Sequence, residues 1–349
     1  MDVRSDAGPS ASAAVRLPFF DLHCDTLDRL ALHACMPEAG FMDEDASIPA
    51  ERMNSLADND AHIALNRMGG YAWCQCFASF IPDGLGADGA WGVFAAVRDF
   101  LARECSRHPQ LVEQVRDARD VDSVVASGRC AAMLTVEGAS FFDGTAGLSA
   151  ALDRLAAVAE AGVKMVTLTW NGKNALASGH DTTDGLSSFG CDMVRAMEER
   201  RIVIDVSHLN DVGFDEFARM AKRPFAASHS NSRAVCGHRR NLTDDQFRAI
   251  RDAGGIVGLN FCRKFLREDG ADATRDDILR HLDRFLTLGG EHSVALGSDY
   301  DGCDVPSWLE PADRVGTLYG LFAREFGADI ADAVCFGNAR AFFVRNETL

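Results

Sequence analysis

Eight short apolar segments recur along the sequence, at 18–25, 71–80, 131–138, 163–171, 202–210, 224–230, 255–262 and 293–302. Near-continuous apolar runs of this length predict strands covered on both faces, as in parallel sheets. Stretches with apolar residues at helical spacing lie between them, at 148–161, 186–200, 211–221, 244–253 and 276–288. Gly162 is placed to cap the first of these at its C-terminus, and Asp211 and Thr243 are placed as N-caps. The connections 26–70 and 81–130 are longer. The second is predicted to hold helices at 91–105 and 111–127, and 303–349 reads as helical. Strands alternating with helices in this number predict an α/β fold, a (β/α)8 TIM barrel over residues 18–349, with a doubly wound open sheet as the alternative. Residues 1–17, small and polar, read as a flexible tail.

The strand ends gather the chemistry. His23 and Asp25 close the first segment two residues apart, so both face one way while Cys24 faces the helices. Glu137 ends the third segment, His208 lies near the end of the fifth, His229 near the end of the sixth, and Asp299 and Asp301 near the end of the eighth. Barrels of this kind build their sites at the carboxyl ends of the strands. A strand histidine alone is ordinarily a hydrogen-bonded core residue. Three of them with an H-x-D pair, all at one end, point instead to borderline metals such as Zn²⁺. His23, Asp25, Glu137, His208 and His229 are more ligands than one open catalytic ion needs, and they suit two such ions sharing a carboxylate and a hydroxide. Cys74 and Cys76 alternate on a strand and read as packing. His238, His281 and His292 read as surface groups. No Walker A, G-x-S-x-G or dinucleotide glycine pattern is present.

Charge narrows the partners. Lys plus Arg is 35 against Asp plus Glu 52, a net charge of −17. Nucleic acid needs a basic footprint and anionic lipid repels this one. No apolar run reaches the ~18 residues of a membrane helix. Eleven scattered cysteines, an odd number without an apolar leader, read as reduced thiols of a cytoplasmic protein.

In these residues the chain resembles the membrane dipeptidase (renal dipeptidase) family of metallopeptidases, in its bacterial soluble branch. DLHCDT, VEGASFF, LTLTWN, IDVSHL, SHSNSRAVCGHRRNLTDDQ, LGSDYDG and GNARAFF match its blocks in order from about residue 18 to 345. H-x-D alone is weak; the ordered set is specific. The resemblance implies a dinuclear zinc barrel that cleaves dipeptides, and a homodimer. It implies that His23 and Asp25 bind one zinc, His208 and His229 the other, and that Glu137 bridges them. Arg240 would hold the substrate carboxylate and Asp299 would handle the proton of the bridging water. Trp170 stands where the family often has a substrate-holding histidine, which leaves it to wall the substrate pocket, and Ala64 replaces a common aspartate. His180, in the loop that follows, reads as a surface residue with the alternative that it supplies the missing imidazole. Two other functions fit the same residues: another metal-dependent amide, lactone or N-acyl amino-acid hydrolase, and a barrel that binds peptides without turnover.

Overall fold

β-Branched and apolar residues build nine parallel strands in the computed structural model, which describes residues 16–35 and 50–349. They are β1 (Leu17–Cys24), β2 (Tyr71–Phe80), β3 (Val112–Gln114), β4 (Cys130–Glu137), β5 (Met165–Thr167), β6 (Val203–Asp205), β7 (Ala226–Ala227), β8 (Ile256–Leu259) and β9 (Val294–Leu296). Each pairs in parallel with its neighbours in the order β2-β1-β9-β8-β7-β6-β5-β4-β3. A long pairing of β2 with β4, from Cys74 opposite Ala131 to Phe80 opposite Glu137, closes the sheet. The eight expected strands therefore form a closed barrel with helices between them, and the open-sheet alternative is excluded. All but Arg16 and Leu17 of the expected tail falls outside the described residues, and Leu17 already belongs to β1.

β3 was not expected. The helix predicted at 111–127 is replaced by this short strand along β4, a 3-10 turn at Ala118–Asp120 and a helix confined to Val121–Ala126. Val112 and Val115 favour extended backbone, and Asp117 then caps the turn by accepting from the Arg119 N–H at 2.9 Å. The other helices fall close to expectation: Gly86–Arg107, Leu148–Glu160, Ser188–Glu199, Asp211–Met220, Asp244–Asp252 and Arg275–Thr287. Thr243 and Gln246 form a reciprocal capping box. Asp211 is not an N-cap. Asn210 holds that place, accepting from the Gly213 N–H at 2.8 Å, while Asp211 pairs with Arg233.

Two apolar layers result. Outward residues such as Phe19, Phe77, Leu134 and Val257 pack under the helices. Inward residues, including Phe20, Leu22, Cys74, Cys76, Met133 and Ile256, fill the barrel, and Phe342 and Phe343 of the last helix, Asn338–Thr348, close its lower end. Each such ring taken from water contributes about 1.5–3 kcal/mol. The packing role expected for Cys74 and Cys76 is the one observed. His292 is exposed as expected. His281 is not: it is fully buried, accepting from the Ser232 N–H and facing the Leu266 carbonyl at 3.2 Å. Among the described residues no helix is long and apolar enough to cross a membrane.

Candidate metal centre and substrate cavity

Strict alternation from Phe20 and Leu22, both inside the barrel, would turn His23 outward. A bulge prevents this. Between Asp21, opposite Gln75, and Cys24, opposite Phe77, β1 carries one residue more than β2. The extra residue resets the parity. Cys24 joins the outer layer, and His23 and Asp25 face the upper barrel together.

Four more strand ends supply the remaining groups. Glu137 is the last residue of β4. His208 follows β6 with φ +72°, Asp299 follows β9 with φ +62°, and His229 follows β7 by two residues. Left-handed backbone at a non-glycine residue is uncommon and concentrates at functional sites. Here it aims both side chains inward. Glu137 Oε1 lies 2.6 Å from His208 Nε2 and 3.6 Å from His229 Nε2, while its Oε2 lies 3.4 Å from His23 Nε2. His23 Nε2 is 3.3 Å from Asp25 Oδ2 and 3.9 Å from Asp299 Oδ1. The carboxylate of Glu137 thus divides its oxygens between a His23–Asp25 side and a His208–His229 side.

Neighbouring groups fix the tautomers. Ser228 Oγ donates to Asp205 Oδ2 at 2.5 Å, so its lone pair accepts from His229 Nδ1–H at 2.7 Å. The amide oxygen of Asn171 accepts from His208 Nδ1–H at 2.9 Å. Both Nε2 atoms are then bare lone pairs, and they face each other at 2.9 Å. Two imidazole lone pairs at that distance repel unless a cation lies against them. His23 Nε2 and Asp25 Oδ1 are buried with no hydrogen-bond partner. The donor set and its unpaired atoms fit metal ions. Burial pushes the Asp25 carboxyl up to about 7 despite His23. Burial also lowers His229, helped by the charge of His23 beside it. Burial opposes the imidazolium of His23, but Asp25 and Glu137 more than offset it. Such displaced affinities mark a functional site.

The centre forms the floor of a cavity of about 700 Å³. Arg240 enters it, 5 % exposed, with Nε and Nη2 unpaired and its guanidinium over the Phe265 ring at 5.4 Å. Trp170 lines the cavity, edge-on to Phe80 at 5.0 Å. Leu32, Pro82 and Val93 extend this apolar side. Asp299 Oδ2 accepts from Asn260 at 3.0 Å, which leaves Oδ1 toward His23. Asp301 plays the structural part: it accepts from Thr26, Arg29 and the His62 N–H, and fastens the first long connection across the barrel top.

Two histidines expected on the surface line the cavity instead, His180 and His238. The His180 ring is 5.9 Å from that of His208, and its Nδ1 is buried without a partner. Its loop folds back tightly. Gly179 donates to Gly172 O at 2.7 Å, and a Cβ on Gly179 would lie 2.1 Å from Trp170 O, so only glycine fits. Burial, with Arg240 nearby, holds His180 down to about 2, a neutral ring. The loop 172–181 has no periodicity, and its only legible signal was a histidine beyond a strand end.

A parallel eight-stranded barrel with imidazoles and carboxylates at the carboxyl ends of its strands is a metal-dependent hydrolase in form. The sequence matches the family "Membrane dipeptidase (Peptidase family M19)" over residues 11–339, and the chain belongs to that family. It is 36 % identical over 242 residues to the Klebsiella pneumoniae "uncharacterized protein in pqqA 5′ region", covering 66 % of this chain and 83 % of that one. A Rhodobacter sphaeroides metallopeptidase, solved with a phosphinate mimic of the dipeptide L-Ala-D-Ala, superposes with TM-score 0.82 at 29 % identity over 95 % of this chain and all of that one. A second solved metallopeptidase, the dipeptidase AC, gives 0.81 at 30 % identity over 95 % and 99 %. Family and neighbours make this chain a metallo-dipeptidase.

Proposed function

We propose that the protein hydrolyses dipeptides with two Zn²⁺ at this centre, His23 and Asp25 holding one, His208 and His229 the other, and Glu137 both. One observation carries the reading: an unpaired, buried guanidinium shares a single cavity with the N/O ligand set. Bound Zn²⁺ supplies Lewis acidity and brings the pKa of water toward neutrality. The protein's own groups do the rest. The free donors of Arg240 take the terminal carboxylate of the substrate, which places the peptide bond over Glu137 and limits substrates to very short peptides. Asp299, held at Oδ2 by Asn260, takes the proton of the attacking water at Oδ1 and delivers it to the leaving amine. Asn171 and Ser228 keep the imidazoles in the ligating tautomer. Phe80 and Trp170 receive an apolar side chain and exclude water. The described cysteines are all unpaired, which is consistent with a reducing cytoplasm.

The test compares dipeptides, their C-terminal amides and N-acyl amino acids. Free dipeptides are expected to be turned over and amides poorly. Truncating one partner of a buried charge pair costs about 2–5 kcal/mol. Arg240→Ala should therefore lower kcat/KM by roughly 30- to several thousand-fold. Equal cleavage of amides and free acids would remove Arg240 from this role. Preference for N-acyl amino acids would favour the hydrolase alternative.

A further inference from the structure

Two thiols that the reaction does not use face the same cavity. Cys262 lies just beyond β8, and Cys303 lies in the turn after Asp299. Cys262 Sγ, Cys303 Sγ and a carboxylate oxygen of Asp299 all lie within 4.8 Å of one another. Cys303 also donates to the Asp299 carbonyl at 3.5 Å. Gly302 packs so closely that a Cβ there would stand 2.1 Å from Asp25 Oδ2 and 2.5 Å from Asp299 Oδ1, so this turn is pressed against the centre.

We propose that Cys262, Cys303 and Asp299 form a separate site for a thiophilic divalent ion, such as Cd²⁺ or excess Zn²⁺, beside the dinuclear centre. A zinc–thiolate bond is about 2.3 Å. Two sulfurs on one tetrahedral ion therefore stand roughly 3.8 Å apart, and the three donors reach that spacing with small side-chain movements. Softness separates the two places. The dinuclear centre offers nitrogen and oxygen alone, whereas this one offers two sulfurs and selects thiophilic ions. Its fourth position opens to the cavity. On binding, each thiol releases one proton to solvent, and the ion takes two thiolates and one carboxylate. The ion takes an oxygen of the Asp299 carboxylate, the group that would otherwise carry the proton. Binding therefore inhibits, a consequence that rests on the role proposed above for Asp299; the site itself does not.

The experiment adds Cd²⁺ to the zinc-loaded enzyme under a phosphine reductant. It follows the ultraviolet thiolate-to-cadmium charge-transfer band, the bound metal per chain and the rate. Exchange into the dinuclear centre gives no such band, because that centre has no sulfur. The wild type is expected to take up one further ion with the band while the rate falls. Cys303→Ser and Cys262→Ser, each checked for native fold by circular dichroism, are each expected to lose the band. Their inhibitory Cd²⁺ concentration should rise at least about tenfold, as loss of a ligand requires. No band in the wild type, or a band unchanged in both variants, would overturn the site. A band without loss of rate would keep the site and remove Asp299 from the reaction.

Discussion

Trp170 and His180 both line the cavity, although the sequence reads His180 as a surface residue. An indole has one N–H and no acceptor, so Trp170 walls the cavity beside Phe80. His180 lines the same cavity, with its Nδ1 buried and unpartnered. Burial, with Arg240 nearby, holds His180 down to about 2, so its ring is neutral near pH 7. His180→Ala is expected to lower kcat/KM by more than about tenfold, ~1.4 kcal/mol. The pH profile should keep its shape, because no charge is removed. A loss confined to one pH limb would show that His180 titrates after all. Trp170→His should alter side-chain selectivity on a dipeptide panel; unchanged selectivity would take Trp170 away from the substrate.

At the scale of elements, single side chains set where segments turn and how they meet. The β1 bulge decides which face His23 presents, and the 111–127 segment yields to strand and turn because valines and Asp117 outweigh its helical spacing. His281 joins three elements. From the helix Arg275–Thr287 it reaches the Ser232 N–H and the Leu266 carbonyl. Burial lowers its pKa to about 4. The unfolded chain takes a proton near 6.5, so below that pH it binds protons that the folded state refuses. Stability is therefore unaffected by this group above about 6.5 and is lost as pH falls from there toward 4. Between about pH 7.5 and 5 the difference amounts to about 2 kcal/mol. Urea unfolding should show the wild type losing that much more than His281→Gln over this interval. Parallel losses would mean that His281 is protonated in the native protein.

For the whole molecule, much was legible before any coordinate. The eight buried strands declare themselves because strands covered on both faces are continuous apolar runs. The cluster of imidazoles and carboxylates shows in the sequence because each polar residue interrupts such a run at the same end. What stayed hidden was set by non-local contact: the pairing of β3 along β4, the facing lone pairs of His208 and His229, and the turn of 172–181 that brings His180 inward. Asp205 and Ser228 were visible within the blocks IDVSHL and SHS, yet their roles require β6 and β7 side by side. The pairing of β8 with β9 brings Cys262 and Cys303 together from adjacent strand ends.

We propose that Glu137 joins two ions that the reaction requires. Dipeptide turnover measured as Zn²⁺ is added to metal-free protein decides this. Turnover is expected to be absent at the start and to reach its plateau at about two equivalents per chain, with Glu137→Gln failing to rise because both ions lose a ligand. Full turnover in metal-free protein, or a plateau at about one equivalent, would contradict it.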